Sequence, residues 1–228
     1  MPSRRFWIWF SMPQKMALIF DHILPVPLAE QAAQNSVWRS RLEVHPGNHF
    51  AIIASSGRGK STLVNIAYGI RHDYSGSYKI DGRAASGLSA IDWSLLRQST
   101  FACVFQDLKL FPQLSALDNL KLKCDLGSSF SIQQATAMAE RLGLAPYLDK
   151  PCGQLSMGQQ QRLAVVRALC QPFQYLFLDE PTSHLDRANA DLVIELVMEQ
   201  AAAQHAAVMI TGLDQDHRLP HSFQLLSV

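Results

Sequence analysis

Residues 50–62, FAIIASSGRGKST, constrain this chain more than any other stretch. Phe50-Ala51-Ile52-Ile53 is a short continuous apolar run, the pattern of a strand buried on both faces of a parallel sheet. Leu63, Ile66, Ala67 and Ile70 then recur at i, i+3, i+4 and i+7, which predicts one buried helical face, and Gly69 weakens the helix where it should stop. A glycine-rich turn between such a strand and such a helix gathers backbone N–H groups and the positive end of the helix dipole around one point, a setting for phosphate. Ser55, Ser56, Gly57, Arg58, Gly59, Lys60, Ser61 and Thr62 fit the nucleotide-phosphate loop: the glycines let the backbone curl round an anion, Lys60 reaches the β- and γ-phosphates, and the Ser61 hydroxyl faces Mg²⁺. Ala54 stands where that motif usually opens with glycine, at a cost of order 1 kcal/mol if the position needs φ > 0. The loop predicts nucleotide binding and names no reaction.

The rest of the chain alternates in the same manner. Tyr175-Leu176-Phe177-Leu178 is a second apolar strand ending in Asp179-Glu180, followed by an amphipathic helix over about 187–204, a strand over 207–210 and a last one over 222–226. Residues 74–82, YSGSYKIDG, read as turn, strand, turn and belong to an antiparallel accessory sheet. From Pro112 to about Gly158 the texture is helical, with a Ser131/Gln134 capping box and Gly143 as a stop. The class is α/β with a small helical lobe inserted. Lys and Arg number 20 against 19 Asp and Glu, a net charge of +1 that supplies no basic stripe for nucleic acid. No apolar run reaches the ~18 residues of a membrane span, whereas 17% charged residues is low enough to point to a surface covered by a partner protein. Cys103, Cys124, Cys152 and Cys170 form no C-x-x-C pair and read as reduced thiols. Residues 1–15, basic then aromatic, read as a disordered leader ahead of the domain, with a membrane-surface anchor as the alternative.

Leu155-Ser156-Met157-Gly158-Gln159, running on into Gln160-Gln161-Arg162, is more specific than a phosphate loop. Physically Ser156 and Gln159 form a capping box, and a capped helix start is also an anion site. The segment resembles the signature of the ATP-binding cassette (ABC) family, usually L-S-G-G-Q, with Met157 as the departure. The resemblance covers nearly all of the chain after Met16 and implies an ABC ATPase fold: a P-loop core with an antiparallel accessory sheet and a helical subdomain at about 112–160, within one domain over 16–228. It implies that Ser156, Gly158 and Gln159 contact the γ-phosphate of ATP held on an opposing cassette, that Asp179 reaches Mg²⁺, and that Glu180 polarises the attacking water. Gln106, in Val104-Phe105-Gln106-Asp107, matches the glutamine that senses γ-phosphate and Mg²⁺, and Asp186, in Pro181-Thr182-Ser183-His184-Leu185-Asp186, the loop that couples paired sites. ATP and Mg²⁺ are the implied cofactors. The implied partners are a second cassette, identical or not, and a separate transmembrane permease, with this chain peripheral on the cytoplasmic face. Residues 105–112 and 117–120 look most like the cassettes of lipoprotein release, macrolide export and cell division.

One family feature is missing. Thr211 is followed by Gly212 where the family carries a switch histidine, and loss of one such hydrogen bond to developing charge is worth on the order of 10²-fold in rate. His217 lies further on as a distant substitute, and Phe20 is the candidate for stacking on adenine. Two readings follow: an ATP-hydrolysing engine, or a hydrolysis-impaired clamp that closes on ATP.

Overall fold

A computed structural model describes residues 16–28, 37–54, 57, 59–126, 130–212, 220 and 222–227. The leader expected over 1–15 lies outside the described residues. In chain order, β1 (Leu18–Pro25) and β2 (Arg41–Val44) lead into β3 (His49–Ile53) and α1 (Lys60–Ala67). β4 (Tyr74–Ile80), β5 (Arg83–Ala84), α2 (Ala90–Ser99) and β6 (Phe101–Val104) follow, then the helices α3 (Ala116–Asp125), α4 (Ile132–Arg141) and α5 (Met157–Leu169). β7 (Tyr175–Asp179), α6 (Arg187–Ala203), β8 (Ala207–Thr211) and β9 (Phe223–Ser227) complete the order.

β6, β7, β8, β3 and β9 lie side by side in that sequence, every pair parallel. β7 and β8 are buried at every residue, which is why they read as unbroken apolar runs, whereas edge strand β9 leaves Gln224 and Leu225 exposed. Side chains of one strand alternate between two cores. Ala51, Leu176, Leu178, Val208 and Ile210 join the core beneath the helical lobe, while Phe50, Ile52, Tyr175, Phe177 and Met209 join the one shared with α1 and the antiparallel sheet. That second sheet runs β2-β1-β4-β5, as the turn-rich 74–82 segment suggested.

Two expectations need correction. Ile70 is not part of the buried face of α1: the helix closes at Ala67, Gly69 takes φ +71 in the left-handed region, and Ile70 is turned out to 53% exposure. Phe20 does not offer a face to adenine either, being 1% exposed and stacked on Tyr78 with centroids 4.5 Å apart.

The lobe begins with Ser115, whose Oγ caps α3 by accepting from Asp118 N at 2.9 Å, and the expected Ser131/Gln134 box caps α4. Asn119 ties the lobe to the chain arriving from β6. Fully buried, its Oδ1 accepts from Phe111 N at 2.9 Å and its Nδ2 donates to the Phe111 and Ser115 carbonyls at 3.1 and 3.0 Å. Replacing Asn119 with Leu keeps the branched shape and strands the Phe111 N–H, while the Phe111 and Ser115 carbonyls keep their bonds from Leu114 N and residue 119 N, so it is expected to lower unfolding free energy by about 1–3 kcal/mol, read by urea denaturation. The four cysteines are free, and burial pushes the Cys103 thiol well up. Among the described residues no helix is long and apolar enough to cross a membrane.

Candidate nucleotide site

The site forms where β3, β7 and β8 end on the same side of the sheet, the usual place for ligands in an open parallel sheet. Gly59 precedes α1 with φ +97, and a Cβ there would lie 2.4 Å from Leu28 Cδ1 and 2.9 Å from Trp38 Cζ2, so glycine is required both for conformation and for room. Lys60 opens the helix and folds back: 8% exposed, its Nζ donates to Ala54 O at 2.7 Å and sits 3.7 Å from Glu180 Oε1. Ala54 is not among the residues with positive φ, so the backbone cost anticipated for losing the first glycine does not arise. Ser55, Ser56 and Arg58 lie outside the described residues. Gly57 takes φ +79 with open space where a Cβ would stand, and Thr62 is half-buried in the first turn of α1.

Asp179, the last residue of β7, is buried, and Thr211 Oγ1 from the neighbouring strand donates to its Oδ1 at 2.6 Å. The same hydroxyl accepts from Glu180 N at 3.3 Å, so Thr211 fixes both members of the acidic pair. Ser61 Oγ donates to Gln106 Oε1 at 3.5 Å, which brings Gln106 beside the first turn of α1. Hydroxyl, amide and carboxyl oxygens from Ser61, Gln106 and Asp179 form a hard donor set suited to Mg²⁺. Among the described residues no cluster of three or more His, Cys, Asp or Glu could hold a metal.

Glu180 has φ +50, a left-handed conformation unusual for a side chain of this size. Gly212, at φ +81, donates its N–H to Ile52 O at 3.3 Å, and a Cβ on it would stand 2.2 Å from Glu180 Cγ. Glu180 therefore occupies the space a residue-212 side chain would enter. His217 lies outside the described residues.

Ser156 caps α5, with Oγ accepting from Gln159 N at 3.3 Å and Gln159 Oε1 accepting from Ser156 N at 2.9 Å, and Met157 is half exposed beside them. A Cβ on Gly158 would lie 3.0 Å from His184 O, which sets this helix start against the segment following β7. Asp186 caps α6 and accepts from Asn189 N at 2.9 Å; the bonds from Asn189, backbone first, hold its carboxyl below the ordinary range. Lys60, Ser61, Gln106, Asp179 and Glu180 thus converge, whereas Ser156, Gly158, Gln159 and Asp186 form a neighbouring group joined to them through the turn after β7.

Three residues with parts in this arrangement were not singled out by motif. Thr211 is the acidic pair's shared hydrogen-bond partner, Trp38 backs Gly59, and Gln161 bonds the turn holding Glu180. Gln161 carried a signal: it falls in phase with Ala164, Val165 and Ala168 on the buried face of α5, where a polar residue needs partners. Phe105, the residue before Gln106, lines a cavity of about 180 Å³ together with Phe111, Leu122, Lys123, Leu126 and Arg167. Phe111, Leu122 and Leu126 are exposed, and burial lowers both Lys123 and Arg167 from their usual values.

A protein-family model described as ABC transporter matches residues 38–183. The macrolide export ATP-binding/permease protein MacB of Burkholderia pseudomallei (strain K96243) is 36% identical over 177 residues, 76% of this chain and 27% of the relative. The pyoverdine export ATP-binding/permease protein PvdT of Pseudomonas entomophila (strain L48) is 37% identical over 173 residues, 75% of this chain and 26% of the relative. The chain spans about a quarter of the length of the curated relatives it matches. Among solved structures, dimeric MJ0796, a bacterial ABC transporter cassette, superposes with a TM-score of 0.77 at 22% identity, covering 92% of this chain and 94% of that one. The same cassette in a post-hydrolysis state bound to ADP and Pi gives 0.74 at 23%, over 86% and 88%.

Proposed function

This chain belongs to the ABC transporter family and has the fold of its ATPase cassettes, and from that premise we propose that it binds and hydrolyses ATP, dimerises on ATP, and drives a separate transmembrane permease. The observation that carries the reading is the convergence of Lys60, Ser61, Gln106, Asp179 and Glu180 at the strand ends. Residues 16–228 act as one cassette on this reading, with 112–160 as its lobe, peripheral on the cytoplasmic face. The names of the relatives suit an export system.

Binding begins when phosphate oxygens take the donors of the phosphate loop. Lys60 Nζ, now spent on Ala54 O and near the Glu180 carboxylate, turns to the β- and γ-phosphates. The freed Glu180 carboxylate then accepts a proton from the attacking water, whose oxygen bonds the γ-phosphorus as the γ-phosphorus–oxygen bond to ADP breaks, leaving ADP and phosphate. Ser61, Gln106 and Asp179 would hold Mg²⁺, which would supply neutralisation of phosphate charge. Thr211 keeps Asp179 and the Glu180 amide in register. Ser156, Gly158 and Gln159, at the dipole-positive start of α5, supply the γ-phosphate contact for ATP on the opposing cassette, and Asp186 orients the loop between the sites. The permease docks at the cavity lined by Phe105, whose exposed Phe111, Leu122 and Leu126 and cationic Lys123 and Arg167 suit an amphipathic cytoplasmic segment. The proposal is tested by light scattering with Mg²⁺ and ATP: ATP is expected to convert monomer to dimer and ADP to leave it monomeric, whereas ATP bound without association would count against a dimerising engine.

Gly212 favours a second reading, the ATP-closed clamp with slow hydrolysis. Gly212→His separates the two. Because the new side chain enters the space of Glu180 at a positive-φ position, it is expected to destabilise by about 1–3 kcal/mol and to leave turnover no faster. A rise in turnover of about tenfold or more would favour the clamp as the native state.

A further inference from the structure

Gln161 sits in the second turn of α5 and is 2% exposed, yet its entire amide is directed at one surface turn. Nε2 donates to Glu180 O at 2.7 Å and to Ser183 Oγ at 3.1 Å, while Oε1 accepts from His184 N at 3.0 Å. The turn it grips is the one in which Glu180 holds φ +50, a conformation that persists only where surroundings impose it. The Glu180 residue is thereby held from both sides: Thr211 Oγ1 takes its N–H, and Gln161 supplies a donor to its carbonyl. Its side chain is left directed toward Lys60, 3.7 Å away.

The other end of the connection is the start of the same helix. Gln161 lies two residues beyond Gln159, about one turn beyond Gly158 and within two turns of the Ser156 cap, and α5 carries them as one hydrogen-bonded unit. We infer that Gln161 is a positioning residue for water activation: it sets the backbone of Glu180 from α5, so that the geometry of the carboxylate follows the seating of the Ser156–Gly158 helix start. The inference rests on the ATPase reading proposed above. An asparagine is one methylene too short for these contacts, and an apolar side chain of the same length strands the His184 N–H and leaves the Glu180 carbonyl only its longer bonds from Ser183 Oγ and N, at 3.2 and 3.4 Å.

Gln161→Met keeps the length and removes the polar atoms; Gln161→Glu keeps an acceptor for His184 N–H and removes the donor to Glu180 O. The readouts are kcat and KM for Mg²⁺-ATP, the thermal midpoint, and amide hydrogen exchange over 180–185. Misplacing a reacting group by about 1 Å is worth about 10²-fold, so Gln161→Met is expected to lower kcat on that scale, with KM within about threefold of wild type and Gln161→Glu intermediate. Exchange over 180–185 is expected to speed up in Gln161→Met, with protection of the sheet strands unchanged. Wild-type kcat in both variants, or a fall in kcat matched by lost ATP affinity, overturns the inference. Should wild type bind ATP without turnover, the ATPase reading fails first; exchange then decides alone, unchanged protection of 180–185 in Gln161→Met overturning the positioning role and faster exchange upholding it.

Discussion

Glu180→Gln is expected to lower kcat by about 10²–10⁴-fold while ATP still binds and still assembles the dimer. The amide matches the carboxylate in shape, so the side chain keeps its place at the end of β7, with φ +50 and the backbone bonds to Thr211 and Gln161 unchanged. What it loses is an acceptor basic enough to take a proton from water. It also loses the charge 3.7 Å from Lys60, and with the carboxylate partly open to solvent that pair adds little to folding, so the denaturation midpoint should scarcely move. Phosphate release assays and light scattering on the same samples check both halves. Turnover retained within about threefold would remove Glu180 from the base role.

Lys60→Met is expected to produce the opposite division: ATP affinity falls by about 10²–10⁴-fold, and dimerisation with turnover falls with it. Two charge-assisted hydrogen bonds to phosphate oxygens, each worth about 1.5–3 kcal/mol, account for a loss on that scale. Folding should survive. The Lys60 stem is packed and its head is nearly out of water, so methionine keeps the apolar contacts and removes a desolvated cation, at the cost of the bond to Ala54 O. Titration calorimetry with ATP and Mg²⁺, beside urea denaturation, separates binding from stability.

What was legible in the sequence is what short-range physics writes. The apolar strands that became β3, β7 and β8, and the caps at Ser131 and Ser156, depend on neighbours a few residues apart, and each stands where its pattern placed it. Ile70 was misread because periodicity alone continues past a glycine, whereas the left-handed turn at Gly69 ends the face. Phe20 had the right chemistry for a base-stacking residue, but alternation along β1 sends it inward onto Tyr78. The remainder depends on residues far apart in sequence. Gly212 meets Glu180 only because β8 lies between β7 and β3, and Gln161 acquires its partners only once the turn after β7 lands on α5. Glycine at position 212 was visible as a letter; that Glu180 fills the space a side chain there would enter was not.

The most direct measurement is steady-state phosphate release by the purified chain with Mg²⁺ and ATP, run beside Glu180→Gln. Saturable turnover in wild type that Glu180→Gln abolishes is the predicted result and establishes hydrolysis with glycine at position 212. Tight ATP binding with no more phosphate release from wild type than from Glu180→Gln would contradict the account and leave the ATP-closed clamp in its place.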